Sequence, residues 1–245
     1  MRESKFLAGK EILSLLLSAL ILGFIFSFRE WGYGQNFSFQ IGIINLIRTA
    51  IISMIVLLIY QLAHKLVALR NGAYTKYSIW GLQRYWFRAK SKFKKPIKIG
   101  LFLPILLALI SNGFIKFAAV GCSELKEITH RRLGKEYKHL TEYQTAVIHL
   151  AGPITLILLA TLLSPIETFS KLVMISYSVA IFSMIPLSKL DGAKVFFGSV
   201  PLYVFSIVLM LAAMILINVA NPIVTLILSL ILAITLFIIF LHKHR

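Results

Sequence analysis

Tyr60-Gln61-Leu62-Ala63-His64-Lys65-Leu66-Val67-Ala68-Leu69-Arg70-Asn71-Gly72 closes an apolar run, Thr49 to Leu69, that is long enough to cross a bilayer. At about 1.5 Å of rise per residue, His64 lies roughly 7 to 8 Å below the end of that helix, near enough to water for hydrolytic chemistry. A histidine at this depth needs a partner, since hydrocarbon leaves a polar side chain unsatisfied.

The rest of the chain repeats the pattern. Of its 245 residues 58% are hydrophobic, and they gather in long runs: Ile12 to Phe28, Thr49 to Leu69, Ile99 to Val120, Tyr143 to Leu163, Ile166 to Leu187, Leu202 to Val219 and Ile223 to Leu241. Charge or Gly, Pro and Asn breakers flank each one. The class is an all-α membrane protein, a polytopic helical bundle forming one integral membrane domain over 1–245, with a core over 43–198 and a C-terminal helix pair over 201–241. The first run lacks a small-residue cleavage motif and is longer than a typical signal-peptide core, so it is expected to be a retained helix.

A net charge of +17 could suggest nucleic acid, but its placement argues for a membrane surface. No acidic residue occurs from Trp31 to Ser123, while Arg70, Lys76, Arg84, Arg88, Lys90, Lys92, Lys94, Lys95 and Lys98 crowd one segment, 70–98. Such an excess marks the cytoplasmic side and attracts anionic head groups. The interleaved Tyr74, Tyr77, Trp80, Tyr85, Trp86 and Phe87 suit an interfacial hairpin or amphipathic segment. No nucleic-acid-binding fold is recognisable, so membrane lipids are the expected partners and nucleic acid is not. The lone Cys122 excludes an intramolecular disulfide.

Seven crossings would put the basic segment and the terminal His242-Lys243-His244-Arg245 on opposite sides. Ile99 to Val120 is the run least suited to cross, because Pro104, Ser111-Asn112-Gly113 and Lys116 interrupt it, as in a re-entrant or interfacial segment. About six transmembrane helices then place both termini, the 70–98 segment and the Ser188 to Gly198 region on the cytoplasmic face. Helix starts are expected at the capping boxes Thr141 to Gln144 and Ser164 to Glu167, and at Asn221-Pro222. Ser123 to Leu140 suggests a surface segment or short helix. There is no internal repeat or Gly-rich phosphate loop, and no pair of broken helices of the transporter kind.

Three elements carry chemistry. The stretch from Tyr60 to Gly72 is similar to H-E-x-x-H-x-x-x-A-x-x-x-G, a zinc motif in which a spacing of four sets two histidines on one helical face beside a glutamate base. Ala151-Gly152-Pro153 resembles A-G-P-x-x-N, and Ser183 to Gly192 resembles N-x-x-P-x-x-x-L-D-G. In this order the elements resemble the site-2 proteases, the intramembrane zinc metallopeptidases. The resemblance implies that His64 and Asp191 are metal ligands, that Gly152 and Pro153 line the substrate site, that zinc is the cofactor and that a transmembrane protein segment is the substrate or partner.

The chain departs from the motif where chemistry is most demanding. Tyr60 replaces a ligand, and phenol with its reference pKa of about 10 is a poor zinc donor at neutral pH. Gln61 replaces the base, and an amide cannot take a proton from bound water, a loss worth about a hundredfold to ten-thousandfold. Leu156 and Ser183 replace asparagines. No catalytic residue is assigned, and the expected function is that of a pseudoenzyme: a protease scaffold that binds a transmembrane segment, a partner protein or lipid.

Two alternatives stay open. One is an active enzyme with a rearranged site using His149, three residues before Gly152. The other is an unrelated transporter or lipid-handling protein, which a separation of His64 from Asp191 beyond about 10 Å would favour, because zinc ligands sit only about 2 Å from the metal. Taken alone, His64 could simply bond a neighbouring helix, and Asp191 could pair with Lys189 or Lys194. The remaining histidines, His130, His139, His242 and His244, belong to polar segments.

Overall fold

The stretch from Tyr60 to Arg70 forms the last third of a 32-residue helix, α2 (Phe39–Arg70). At about 1.5 Å per residue this helix is longer than a bilayer core is thick, so its ends reach both interfaces. The computed structural model describes residues 9–32, 38–84, 92–127, 140–217 and 221–243. His130, His139, His244 and the aromatic triplet Tyr85 to Phe87 lie outside the described residues.

The first helix, α1 (Gly9–Ser27), runs antiparallel to α2. Small residues let the two approach: a Cβ on Gly23 would stand 2.8 Å from that of Ala50, and Gly42 lies against the Trp31 ring. At one end of the pair Glu11 meets Lys65, and at the other Trp31 meets Gly42.

After α2 the chain leaves the helical pattern. Strand β1 (Ala73–Ile79) alternates buried Ala73, Thr75 and Tyr77 with half-buried neighbours, the period of two that a strand requires. It pairs antiparallel with β4 (Gly121–Glu127), from Ala73 opposite Glu127 to Ile79 opposite Gly121. The segment expected as a surface stretch or short helix thus begins as a strand. A second ribbon, β2 (Leu82–Arg84) with β3 (Lys92–Ile97), forms the hairpin foreseen in the basic segment. These ribbons are additions to an otherwise helical chain.

Between the ribbons lies the interrupted run. Its helix, α3 (Ile99–Ile110), has 12 residues, too few to span. Asn112 and Gly113 then take positive φ values of 50° and 75° and reverse the chain. Residues 114–120 return without helix, and the Val120 carbonyl packs so closely on Gly100 that any Cβ there would overlap it. Trp80 closes the neck, its N–H donating to Val120 O and its carbonyl accepting from Gly100 N, each at 3.0 Å. The segment doubles back on itself, with both ends at the same level.

The second half is helical: α4 (Glu142–Leu163), α5 (Ser170–Ser183), α6 (Asp191–Gly198), α7 (Val200–Leu216) and α8 (Pro222–Lys243). The capping box at Thr141 is formed in both directions, at 3.1 and 3.0 Å. The one expected at Ser164 is not. Ser164 ends α4 and donates to Thr161 O, and α5 starts only at Ser170 after a 3-10 turn over Glu167–Phe169.

Among the described residues four helices are long and apolar enough to cross a membrane: Gly9–Trp31, Phe39–Arg70, Glu142–Leu163 and Pro222–His242. The chain is built as a multi-pass integral membrane protein. Among the remaining helices, α5 with 14 residues and α7 with 17 are shorter.

Candidate functional site

On α2 the buried residues Leu57, Tyr60, Gln61, His64, Lys65 and Ala68 recur at three and four, so one helical face turns inward. Tyr60 and His64 are one turn apart with rings edge to face, centroids 4.6 Å apart. Opposite them α4 presents Gly152, where any Cβ would overlap the His64 imidazole and crowd the Tyr60 ring. Glycine is required there because two side chains occupy the space of a third. Pro153 follows in mid-helix and cannot donate to the carbonyl of His149, which loosens α4 beside the site.

Asp191 arrives from the other side as the first residue of α6, 1% exposed. Its helix can pack this closely because Gly192 lies directly on the Met184 carbonyl, where a side chain would collide. The Tyr60 hydroxyl donates to Asp191 Oδ2. His64 Nε2 faces that same oxygen at 3.4 Å, and His149 Nδ1 approaches Oδ1 at 3.0 Å. Lys194, one turn along α6, places Nζ 3.7 Å from Oδ1 and donates to Ser123 O in β4. Lys189 instead stands 4.0 Å from Glu124. Burial works against ionisation of Asp191, but the imidazoles of His64 and His149 outweigh it and hold the carboxyl well below its ordinary value.

The histidines are oriented by their second nitrogens. His64 Nδ1 lies 2.7 Å from Ile148 O on α4, and because a carbonyl only accepts, Nδ1 carries the hydrogen. Neither His64 Nε2 nor His149 Nε2 has a hydrogen-bond partner among the described residues, although both are buried.

Gln61, at the place of the expected base, is held on both sides of its amide. Its Oε1 accepts from Ser123 Oγ at 2.9 Å, and its Nε2 donates to Glu11 Oε1 at 3.3 Å and Thr75 Oγ1 at 3.4 Å. Glu11, 2% exposed, also takes Lys65 Nζ at 3.0 Å and the backbone N–H of Tyr77 at 3.1 Å. Sequence reasoning missed Glu11, Ser123 and Thr75. A carboxylate in the first turn of an otherwise apolar helix was the available signal for the first. Cys122 sits 3.5 Å from Ser78 Oγ, and burial pushes its thiol up, away from nucleophilic use.

His64 and Asp191 keep a spacing that two ligands of one zinc could share, given arms of about 2 Å. The remaining donors do not complete a catalytic centre. A phenol hydrogen points at Asp191, His149 spends Nδ1 on the far carboxylate oxygen, and among the described residues no group of three or more His, Cys, Asp or Glu is arranged to hold a metal ion. The residues present do not fit a catalytic zinc.

Comparison with known proteins points the same way as the motifs. The chain is 28% identical over 197 residues to a Methanocaldococcus jannaschii protein named "Putative zinc metalloprotease", covering 76% of this chain and 83% of that one. This supports a metalloprotease-like relationship. No protein-family model matches the chain, and no solved structure does.

Proposed function

We propose that the protein is a non-hydrolytic homologue of the intramembrane zinc proteases, which binds a membrane-embedded segment of a partner protein without cutting it. One observation carries this reading: the Tyr60 hydroxyl donates to Asp191, so that a hydrogen bond links α2 to α6 where a metal would link them in an active relative. The amide of Gln61, tied to Ser123, Thr75 and Glu11, gives no base to activate water. Gly152 and Pro153 then hold the core of α2 and α4 in register for binding. In this reading α5 and α7 also cross, giving about six spans. The basic segment and both termini face the cytoplasm, and anionic lipid surrounds that face.

The closeness of His64 to Asp191, 3.4 Å, speaks against chance motif matches in a transporter. The bare Nε2 atoms of His64 and His149 favour one competing reading, a rearranged metal site. Elemental analysis of detergent-purified protein separates the two. Substoichiometric zinc, with no cleavage of a membrane substrate, is expected. One zinc per chain, lost in both His64→Ala and His149→Ala, together with cleavage that Asp191→Ala abolishes, would overturn the proposal.

A further inference from the structure

The end of the bundle away from Asp191 carries a cluster of cations that the site does not use. There the Asn112-Gly113 turn meets the end of α1: Gly113 packs on Phe28 and Arg29, and a Cβ on it would lie 2.8 Å from a side-chain carbon of each. The Arg29 guanidinium lies over the Phe114 ring, 4.3 Å from its centroid. Lys116, half-buried in the returning segment, donates to Met174 Sδ at 3.8 Å and stands 5.7 Å from the Phe26 centroid. Lys171, at the start of α5, pairs with Glu30 at 2.6 Å. Arg29, Glu30 and Lys171 are all near enough to Lys116 to bias its charge.

Glu30 is engaged by Lys171. Among the described residues neither Arg29 nor Lys116 has a carboxylate partner, and the Lys116 ammonium rests on a thioether and a ring. A half-buried ammonium so placed lacks the charge-assisted bond that an oxyanion would supply. The level is that of the head groups, since the span Gly9–Trp31 ends here and Trp31 packs edge to face on Phe39. Phe114 and Ile115, 70% and 50% exposed, stand beside the cations, where the acyl chains of a bound lipid would begin.

We infer that Arg29, Lys116 and Lys171 form a binding site for the phosphate of an anionic phospholipid head group, with Glu30 fixing the position of Lys171. The site fastens the Asn112-Gly113 turn to the interface opposite Asp191, and it is independent of whether the chain hydrolyses peptides. The occupant is a lipid rather than a soluble anion because the cations lie between apolar side chains at the edge of a span, where a head group and its chains are satisfied together.

The test titrates the purified full chain in neutral detergent with phosphatidylglycerol or phosphatidylcholine and counts bound lipid by native mass spectrometry. Phosphatidylglycerol is expected to bind at least tenfold more tightly. At about 1 kcal/mol per basic residue, Arg29→Gln and Lys116→Gln should each weaken it about fivefold and leave phosphatidylcholine unchanged. Lys116→Arg should keep the preference. So should Arg48→Gln, which removes the same charge from an exposed position of α2. Equal retention of the two lipids, or an equal loss in Arg48→Gln, would overturn the inference. Displacement of phosphatidylglycerol by an equal concentration of inorganic phosphate would overturn it in favour of a soluble anion.

Discussion

Gly152 of α4 is the floor on which His64 of α2 rests, and no other residue leaves the imidazole where it is. Gly152→Ala should lower stability by about 1–3 kcal/mol, the usual cost of forcing a methyl group into a packed site. Thermal melts in detergent measure it. Adding His64→Ala removes the overlapped ring, so the double variant should recover part of the loss. A Gly152→Ala protein as stable as wild type would show that the two helices are not in contact here.

Removing one oxygen tests the bond between α2 and α6. Tyr60→Phe keeps the ring against Gly152 and deprives Asp191 of a donor, at about 1.5–3 kcal/mol for a bond to a charged group. A double-mutant cycle with Asp191→Asn isolates the pairwise part, which should be of the same sign and at least about 0.5 kcal/mol.

Restoring the missing chemistry is a gain-of-function test. With His64 and Asp191 already 3.4 Å apart, Tyr60→His combined with Gln61→Glu supplies a third ligand and a base. The double variant should take up about one zinc per chain by elemental analysis, and Asp191→Ala introduced into it should abolish the uptake. His149→Ala should not.

Glu11 and Lys65 are 3% and 7% exposed at the side chain and pair at 3.0 Å. Breaking a buried pair from one side strands a charge and costs about 3–5 kcal/mol, so Glu11→Leu and Lys65→Met should each destabilise strongly. The two together should cost far less than their sum, because no charge is left behind. Chemical unfolding of the three variants gives the comparison.

The sequence revealed what depends on local pattern and hid what depends on distant encounter. Apolar runs, the reversal at Asn112-Gly113 and the capping box at Thr141 are each written within a few residues. The match of His64 with Asp191 was visible only through motif spacing. Tyr60 was legible as a lost ligand but not as a donor to Asp191, since 131 residues separate them. Glu11 looked like a flank of the first helix because its partners come from α2 and β1. The alternation in Ala73 to Ile79 was there to be seen, yet the excess of basic and aromatic residues suggested only an interfacial hairpin or amphipathic segment. Ser164-Pro165 failed as a helix start because Ser164 serves the helix behind it.

The pairing of Ile79 with Gly121 has a consequence for how this chain can change. The segment from Gly100 to Val120 hangs from a neck that Trp80, Gly100 and Val120 hold shut. Closing a flexible loop costs only about 0.6 kcal/mol more for each doubling of its length. The connection between β2 and β3 can therefore lengthen or shorten while β1 and β4 keep their register. Variation in lipid head groups can be met there, by insertion and deletion, without disturbing the residues around Asp191.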